Sequence, residues 1–313
     1  MKMLKIVALG ATLLASTLSF NTAAQAQGRL TAAVADWTGA IVTCRIVTTI
    51  LEREYDYKIK HVELPSGNAT MEAIAGGDID MGCEYWPSYN PSKGEWFEEW
   101  GGPGVIKVVG PTGVVGKSSY YVPRYLVEGD DAPAKDLKSF ADLANYVDLF
   151  ATVETGGKGR LIGCPALNWE CDDQGRADAY GVDFEAVVLG SETALWAEMQ
   201  GAYKRQEPFV AYAWEPHWIH AELDLVGLEL DAYGDGSDWP RSGWAEDVTI
   251  HYASERVFDG KHEAALAMIG NSRITNDVQA GLIYAIDVEG RDLEEVVDEW
   301  LANNEDTWRG WMQ

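Results

Sequence analysis

The sequence predicts an α/β protein of two lobes that are joined by two crossovers and enclose a hinged cleft. Strand-like apolar runs alternate with amphipathic helix-like runs from residue 29 onward, which is typical of sheets built from βαβ units. The segments 120–125 and 248–252 look like the outward and return crossovers. We therefore assign residues 27–117 and 250–313 to lobe 1 and residues 118–249 to lobe 2.

Residues 1–26 have the pattern of a secretory signal peptide. Lys2 and Lys5 precede an apolar run over residues 6–20, and Ala24-Gln25-Ala26 is a cleavage site of the A-x-A type. Later segments are not apolar enough to span a bilayer. The sequence thus predicts a soluble protein that is exported to the periplasm.

Composition excludes some partners and points to others. Removal of the signal peptide leaves 22 basic and 50 acidic residues, a net charge of −28, which repels nucleic acid and anionic lipid. The chain has 13 tryptophans against 7 phenylalanines, and tryptophan offers the best face for a cation. Four cysteines in an exported chain predict disulfides. Whether Cys44 and Cys83 pair is left open.

The elements of lobe 1 place two tryptophans at the ends of strands. The predicted strands are 30–35, 58–64, 79–85 and 105–109, and the predicted helices are 38–54 and 69–75. Trp37 and Trp86 each follow a strand, at the edge where open parallel sheets bind ligands.

The predicted elements of lobe 2 place a third tryptophan at the end of a strand. Strands are predicted at 150–153, 184–189 and 209–214 and helices at 136–144 and 192–204, followed after the return crossover by helices at 262–269, 275–286 and 293–303. Trp214 ends one of these strands.

A short loop in lobe 2 carries a fourth tryptophan. Cys164 and Cys171 enclose it and should form a disulfide in an oxidising compartment, which would hold Trp169 in a rigid segment. A rigid loop suits a binding site, because its ordering entropy is lost on folding and not again on binding. The alternative is a stapled surface loop with Trp169 packed beneath it.

Enzyme signatures are missing from the sequence. It contains no G-x-S-x-G, no H-E-x-x-H and no paired C-x-x-C. The glycine-rich segment 110–118 has five residues between its outer glycines, where a phosphate loop needs four. His217 and His220 would share a helical face near two glutamates, but a surface position is the simpler interpretation than a metal site. We predict no metal, no cofactor and no enzymatic activity.

Aromatic residues at strand ends, loops and crossovers form the candidate site. They are Trp37, Trp86, Tyr120, Trp169 and Trp214. Several π faces without a catalytic base suit a quaternary ammonium group, and each face contributes roughly 0.5–2 kcal/mol. We expect two of the five to be structural only.

Several motifs together resemble the substrate-binding component of ABC importers for glycine betaine, proline betaine and choline, a family with the periplasmic type II binding-protein fold. The motifs are Asp36-Trp37-Thr38, Gly77-Asp78-Ile79-Asp80 before Tyr85-Trp86-Pro87, the loop from Gly163 to Cys171, the segment Ala211 to Trp218, and Trp308-Arg309-Gly310-Trp311. The likeness covers essentially the whole mature chain.

The resemblance implies a set of ligand-binding residues. Trp86, Trp169 and Trp214 would surround a trimethylammonium group, Trp37 matches the choline-binding branch, and Tyr120 matches an aromatic residue of the first crossover; Tyr85, as an alternative to Trp86, and His217 complete the candidates. The backbone N–H groups of Glu170 and Cys171 would hold a ligand carboxylate. Gly39 replaces the acid of the choline branch, which argues against choline.

The predicted function is capture of glycine betaine or proline betaine and its delivery to a membrane permease by a monomeric protein. Choline, carnitine or another methylated amine is the alternative within the class. A periplasmic hydrolase that uses His217 or His251 as base lacks a nucleophile. A sugar-binding module would need more polar residues around the tryptophans.

Overall fold

The computed structural model describes residues 28–234 and 238–313. The predicted signal peptide, residues 1–26, lies outside the described residues. The strands are β1 (Gly28–Val34), β2 (Tyr57–Glu63), β3 (Met81–Tyr85), β4 (Ile106–Pro123), β5 (Gly159–Ile162), β6 (Phe184–Val187), β7 (Val210–Glu215), β8 (Leu225–Gly227) and β9 (Asp247–Ser254). The helices are α1 (Thr38–Glu54), α2 (Asn68–Gly76), α3 (Arg124–Val127), α4 (Val147–Phe150), α5 (Asp173–Tyr180), α6 (Glu192–Lys204), α7 (Ile219–Glu222), α8 (Glu263–Asn271), α9 (Asn276–Asp287), α10 (Leu293–Asn303) and α11 (Glu305–Gly310).

The strands follow the order β2-β1-β3-β9-β4-β7-β5-β6, with β8 on β4. Strands β1, β2 and β3 run parallel to one another, as do β5, β6 and β7, whereas β4 and β9 run antiparallel to their neighbours. We use "first lobe" for the part built on β1–β3 and β9 and "second lobe" for the part built on β5–β8. Each lobe has parallel strands whose carboxyl ends form one edge, where open α/β sheets bind ligands.

Strand β4 connects the lobes without a break. Its residues Ile106 to Gly116 pair with β9 of the first lobe, and Lys117 to Tyr121 pair with β7 of the second lobe. The sequence predicted a strand at 105–109 and a crossover at 120–125, so the strand is longer and the change of lobe comes earlier. The chain also returns to the first lobe earlier than predicted, because Asp247 of β9 already pairs with Gly116 of β4. The lobe boundaries given above stay a prediction.

Two predicted elements of the second lobe are wrong. Residues 150–153 do not form a strand, because Thr152 and Thr155 bond each other and the local backbone in a turn. The strand is β5, nine residues later, which is too short to stand out in the sequence. The predicted helix 136–144 is a 3-10 helix at Phe140–Asn145, closed by the capping box of Ser139 and Asp142.

A disulfide between Cys44 and Cys83 joins α1 to β3. Helix α1 buries its apolar residues, Val42, Ile46 and Ile50 among them, against the first-lobe sheet. The disulfide therefore links the two elements that directly follow and precede the strand-end tryptophans, Trp37 and Trp86. Among the described residues, no helix combines the length and the apolarity that crossing a bilayer requires.

Candidate functional site

The carboxyl ends of the parallel strands bring four of the predicted tryptophans to one cavity between the lobes. Trp37 and Trp86 follow the neighbouring strands β1 and β3, Trp214 lies near the end of β7, and Trp169 lies in the loop after β5. The cavity measures about 90 Å³. Because one water needs roughly 10–15 Å³ on this measure, the cavity has room for a ligand of several non-hydrogen atoms.

The wall of this cavity is rich in aromatic rings, which belong to eight of its twenty residues. It consists of Ala33, Ala35, Trp37, Ala40, Ser66, Gly67, Thr70, Met71, Cys83, Glu84, Tyr85, Trp86, Tyr89, Asn90, Asn168, Trp169, Glu170, Tyr212, Trp214 and Tyr252. No lysine, arginine or histidine lines it within the described part of the chain. A wall of this kind suits a cation and offers no partner of opposite charge to an anion.

The tryptophans contact one another edge to face, both within the second lobe and across the cleft. The ring centroids of Trp169 and Trp214 are 5.2 Å apart at an interplanar angle of 64°, and those of Trp37 and Trp169 are 5.6 Å apart at 70°. Tyr212 shares the face of β7 with Trp214, and their centroids are 5.6 Å apart. Rings at such steep angles present differently oriented π faces to one enclosed volume.

Glu84 holds two of the tryptophans in place. The indole N–H groups of Trp86 and Trp37 both donate to its Oε1, at 2.9 and 3.3 Å. Its Oε2 accepts from Gln279 at 2.7 Å and from Thr43 at 3.1 Å. An ionised carboxylate can accept about four hydrogen bonds, so these donors fill its capacity.

Glu84 is a buried acid without a cationic partner among the described residues. Burial raises the pKa of this carboxyl group, and its four hydrogen bonds oppose the rise. None of the ion pairs in the described residues includes it. Gly39 contributes to the arrangement, because a Cβ at this position would lie 3.3 Å from the amide of Gln279. Position 39 thus carries no acid, and the buried acid near it is Glu84 of β3.

The disulfide loop 163–171 reaches across the cleft, and Cys164 and Cys171 are bonded as predicted. A 3-10 helix at Leu167–Trp169 ends at Glu170, which adopts the left-handed conformation with φ 59°. The Trp169 indole donates to Asp36 of the first lobe at 3.2 Å, and Asn168 donates to the same carboxylate at 2.9 Å. The loop thus presents Trp169 to the cavity and ties the two lobes together.

The backbone N–H of Glu170 is not available to a ligand. It donates to the carbonyl of Leu167 at 3.2 Å, which closes the 3-10 turn. Cys171 is buried and lies outside the cavity wall. The Glu170 side chain lines the cavity instead and accepts from Asn68 at 2.7 Å. Burial raises the pKa of this carboxyl group.

Tyr120 does not reach the cavity. Its ring is fully buried in the core of the second lobe, 4.8 Å from the ring of Phe140, and its hydroxyl donates to Asp173. The guanidinium of Arg176 lies 5.8 Å from this ring and 4.3 Å from that of Trp244. This aromatic cluster is therefore occupied by a cation of the protein itself.

His217 also lies outside the cavity wall. It is buried with its ring centroid 4.2 Å from that of Trp196, and its Nε2 is 3.2 Å from Oε1 of Glu192. Within the described residues, Glu192, His217 and Asp287 form the one group with ligand atoms close enough to hold a metal ion. His220 bonds the carbonyl of Trp214 and does not join this group.

Tyr85 and Trp86 both line the cavity, although the sequence left open which of them does so. Trp86 is fixed by its bond to Glu84. Tyr85 is fixed by packing, with its ring 5.2 Å from Phe97 and 5.5 Å from Tyr252, and within the described residues its hydroxyl has no hydrogen-bond partner.

Sequence reasoning missed Glu84, Tyr89 and Tyr212 as wall residues. The signal for Glu84 was a lone acidic residue inside an apolar strand, Met81-Gly82-Cys83-Glu84-Tyr85. Tyr212 stands two residues before Trp214, so the period of two in a strand places both side chains on one face. Tyr89 had no such signal, because it reaches the cavity through the turn after Trp86.

Fold and cavity together define a two-lobed protein with an aromatic binding cavity between its lobes. The OpuAC family model, described as the substrate binding domain of ABC-type glycine betaine transport system, matches residues 28–303. The chain belongs to this family, and the predicted class of fold and the predicted family are confirmed.

Individual relatives and structures agree with this assignment. The chain is 26% identical to the trimethylamine N-oxide-binding protein of Pelagibacter ubique (strain HTCC1062) over 98% of both chains. It is 23% identical to the glycine betaine/proline betaine-binding periplasmic protein of Escherichia coli (strain K12), with 83% of this chain and 78% of that protein covered.

Solved structures share the fold at low identity. Lactococcal OpuAC in its closed form with glycine betaine matches with a TM-score of 0.69 and 19% identity, over 91% of this chain and all of that chain. An ABC-transporter choline-binding protein in complex with choline matches with a TM-score of 0.73 and 19% identity, over 91% of each chain.

Proposed function

We propose that this chain captures a small trimethylammonium compound in the cavity between its lobes and delivers it to the permease of an ABC importer. The observation that carries the proposal is the buried carboxylate of Glu84 inside an aromatic wall. A permanent cation among the tryptophans supplies the missing counter-charge, and each ring face adds roughly 0.5–2 kcal/mol. Export to the periplasm is expected from the signal-peptide pattern.

The other end of the ligand decides among the members of this class. A betaine carboxylate has two anionic oxygens, and the wall offers it two carboxylates, Glu84 and Glu170, and no cation within the described residues. The amide of Asn168 is already donated to Asp36. An anionic end would thus be desolvated without charge-assisted partners, which is costly.

We therefore place trimethylamine N-oxide first. Its single oxygen needs fewer donors than a carboxylate, and the cavity of about 90 Å³ has room for it. The relative from Pelagibacter ubique, which is named for this compound, aligns along nearly the full length of both chains. Glycine betaine is the second candidate, because the family description and the relative from Escherichia coli both name it.

Calorimetric titration of a small panel tests the proposal. The panel contains trimethylamine N-oxide, glycine betaine, proline betaine, choline and 3,3-dimethylbutan-1-ol, the neutral carbon analogue of choline. Concentrations are kept micromolar, because N-oxide at high concentration stabilises proteins without binding a site. We expect the N-oxide to bind best and the neutral analogue not to bind.

Each outcome has a defined meaning. Glycine betaine binding best would replace our first candidate and restore the betaine predicted from the sequence. Choline binding best would indicate that a wall carboxylate such as Glu170 accepts from its hydroxyl. Equal binding of choline and its neutral analogue would contradict recognition of the cation itself.

A further inference from the structure

Helix α1 begins beside the cavity without a cap of its own. Trp37 is its N-cap residue, but its side chain makes no capping hydrogen bond, and the first turn contains no acidic residue. The first N–H groups of a helix have no acceptor inside the helix and need one from elsewhere. The position of Trp37 therefore depends on what accepts from the start of this helix.

The acceptor comes from the other lobe. Oε2 of Glu192, the first residue of α6, accepts the Thr38 N–H at 2.9 Å across a sequence separation of 154 residues. An anion at a helix N-terminus is favoured by the helix dipole and by its unpaired N–H groups. A second contact lies alongside, since Asp287 of the first lobe accepts from the indole of Trp218 in the second lobe at 3.2 Å.

The side chain of Glu192 is held for this contact by His217. The backbone N–H of Ile219 donates to His217 Nδ1 at 3.3 Å, so the ring proton is on Nε2 and is donated to Glu192 Oε1. A metal ion on Nε2 would require a proton on Nδ1, facing the Ile219 N–H. The group formed by Glu192, His217 and Asp287 is thus a hydrogen-bonded support and not a metal site.

We propose that Glu192 is a positioning residue for ligand binding, which caps helix α1 only when the lobes close and thereby fixes Trp37 in the cavity wall. The inference rests on the proposed function, because it assigns Glu192 to closure around that ligand. Glu192 is 7% exposed in the closed arrangement, and parting of the lobes would separate it from Thr38. Ligand binding and helix capping would then favour the same closed state.

The backbone donor can be removed without breaking the helix. Thr38 is the first helical residue, where proline is well tolerated, and Trp37 has the extended conformation that precedes proline (φ −138°, ψ 147°). Thr38→Pro removes the N–H and also the hydroxyl, which donates to Asp287 at 2.8 Å. Thr38→Ala removes only the hydroxyl, which also lies 3.4 Å from Oε2 of Glu192, so comparing the two isolates the contact of the Thr38 backbone N–H with Glu192.

The test measures ligand affinity, the radius of gyration by small-angle X-ray scattering, and the Tm of ligand-free protein. We expect Thr38→Pro and Glu192→Ala each to weaken binding about tenfold relative to Thr38→Ala, the loss of a hydrogen bond to a charged group. The Tm of ligand-free Thr38→Pro should stay near that of Thr38→Ala, whereas Glu192→Ala also leaves the buried Nε2–H of His217 without its acceptor and should lower the Tm. Glu198→Ala is the matched control, because Glu198 lies on the same helix and pairs with Arg160 inside the second lobe.

A double-mutant cycle separates positioning from a general loss of structure. Thr38→Pro combined with Glu192→Ala should bind no more weakly than Thr38→Ala combined with Glu192→Ala, because the backbone N–H then has no Glu192 carboxylate to lose. Additive losses, unchanged affinity in folded variants, or a fall in the ligand-free Tm of Thr38→Pro below that of Thr38→Ala would each overturn the proposal.

If the wild type binds no member of the panel, the proposed function fails separately. The radius of gyration of the ligand-free variants then tests the role of Glu192 by itself. Equal radii for Thr38→Pro and Thr38→Ala would overturn that role.

Discussion

At the scale of single residues, Glu84 both orients two tryptophans of the cavity wall and contributes a carboxyl group to that wall. Its Oε1 fixes the edges of Trp37 and Trp86, so the rings turn their faces, rather than their N–H groups, toward the cavity volume. Its negative charge stays inside the first lobe without an ion pair among the described residues. Removal of the charge should therefore affect a cationic ligand more than the packing of the wall.

Glu84→Gln should weaken binding of a trimethylammonium ligand by about 1–3 kcal/mol, because the substitution keeps the shape but removes the charge. Calorimetry measures the loss. Glu72→Gln on the exposed side of α2 is the matched control, since it makes the same change of net charge away from the cavity. A similar loss in both variants would mean that only the overall charge of the protein matters.

The affinity should also depend on pH through Glu84. Burial raises the pKa of this carboxyl group, and a bound cation favours the ionised form, so ligand and proton compete. Binding should be full above the raised pKa and fall as the pH decreases through it. Burial also raises the pKa of Asp247, at the start of β9, to about 6, so this residue could contribute to the pH profile. Burial also raises the pKa of Glu170, which lines the cavity. Glu84→Gln distinguishes Glu84 from both, because it should flatten the profile only if Glu84 is responsible.

Trp169 and Trp214 should respond differently to truncation. Trp169 is half-buried on a loop, and Trp169→Ala should weaken binding by about 1–3 kcal/mol at nearly unchanged stability. Trp214 is buried with its ring 4.8 Å from that of Trp196, so Trp214→Ala should also destabilise the fold by about 3–5 kcal/mol. Calorimetry and urea unfolding measure the two effects, and retained affinity in both variants would contradict the aromatic site.

At the scale of elements, the two disulfides have different roles. Cys164–Cys171 encloses a short loop that presents Trp169, whereas Cys44–Cys83 joins α1 to β3 across 39 residues of sequence. A longer enclosed segment removes more entropy from the unfolded chain. The first should therefore matter more for binding and the second more for stability.

Replacing each pair with alanine tests this division. Loop-closure entropy predicts a loss of about 2.5 kcal/mol for Cys164–Cys171 and about 4 kcal/mol for Cys44–Cys83. Removal of the loop disulfide should also weaken ligand binding, because Trp169 and Asn168 lose their rigid support. Urea unfolding and calorimetry measure both quantities. A loop variant that binds like wild type would show that the cross-cleft bonds to Asp36 are sufficient.

At the scale of the whole molecule, the net charge acts on the approach of ligands rather than on the site. The net charge of −28 over residues 27–313 attracts a cation at long range but leaves a zwitterion almost unaffected. Stopped-flow binding should show an on-rate for choline that falls as salt rises from about 0.05 to 0.5 M, where screening shortens from above 10 Å to below 8 Å. The on-rate for trimethylamine N-oxide should change little. Equal salt dependence for both would indicate an effect of salt on closure instead.

The sequence by itself determined the features that depend on local pattern. The alternation of strands and helices, the strand-end positions of Trp37, Trp86 and Trp214, and the disulfide around Trp169 follow from periodicity and spacing of a few residues. The motifs carried the family, because each lies within a short segment. Such features need no knowledge of which distant segments meet.

Only the tertiary structure decided which side chains share the cavity and which hold them. Glu84 and Gln279 are 195 residues apart, and Thr38 and Glu192 are 154 apart, so no local pattern links them. Tyr120 lies in the core of the second lobe and not in the cavity. Its ring packs there against Phe140 and Arg176, and its hydroxyl donates to Asp173. Charge and hydrogen bonds must be satisfied in three dimensions wherever water is excluded, and the packing of the two lobes fixed those partners.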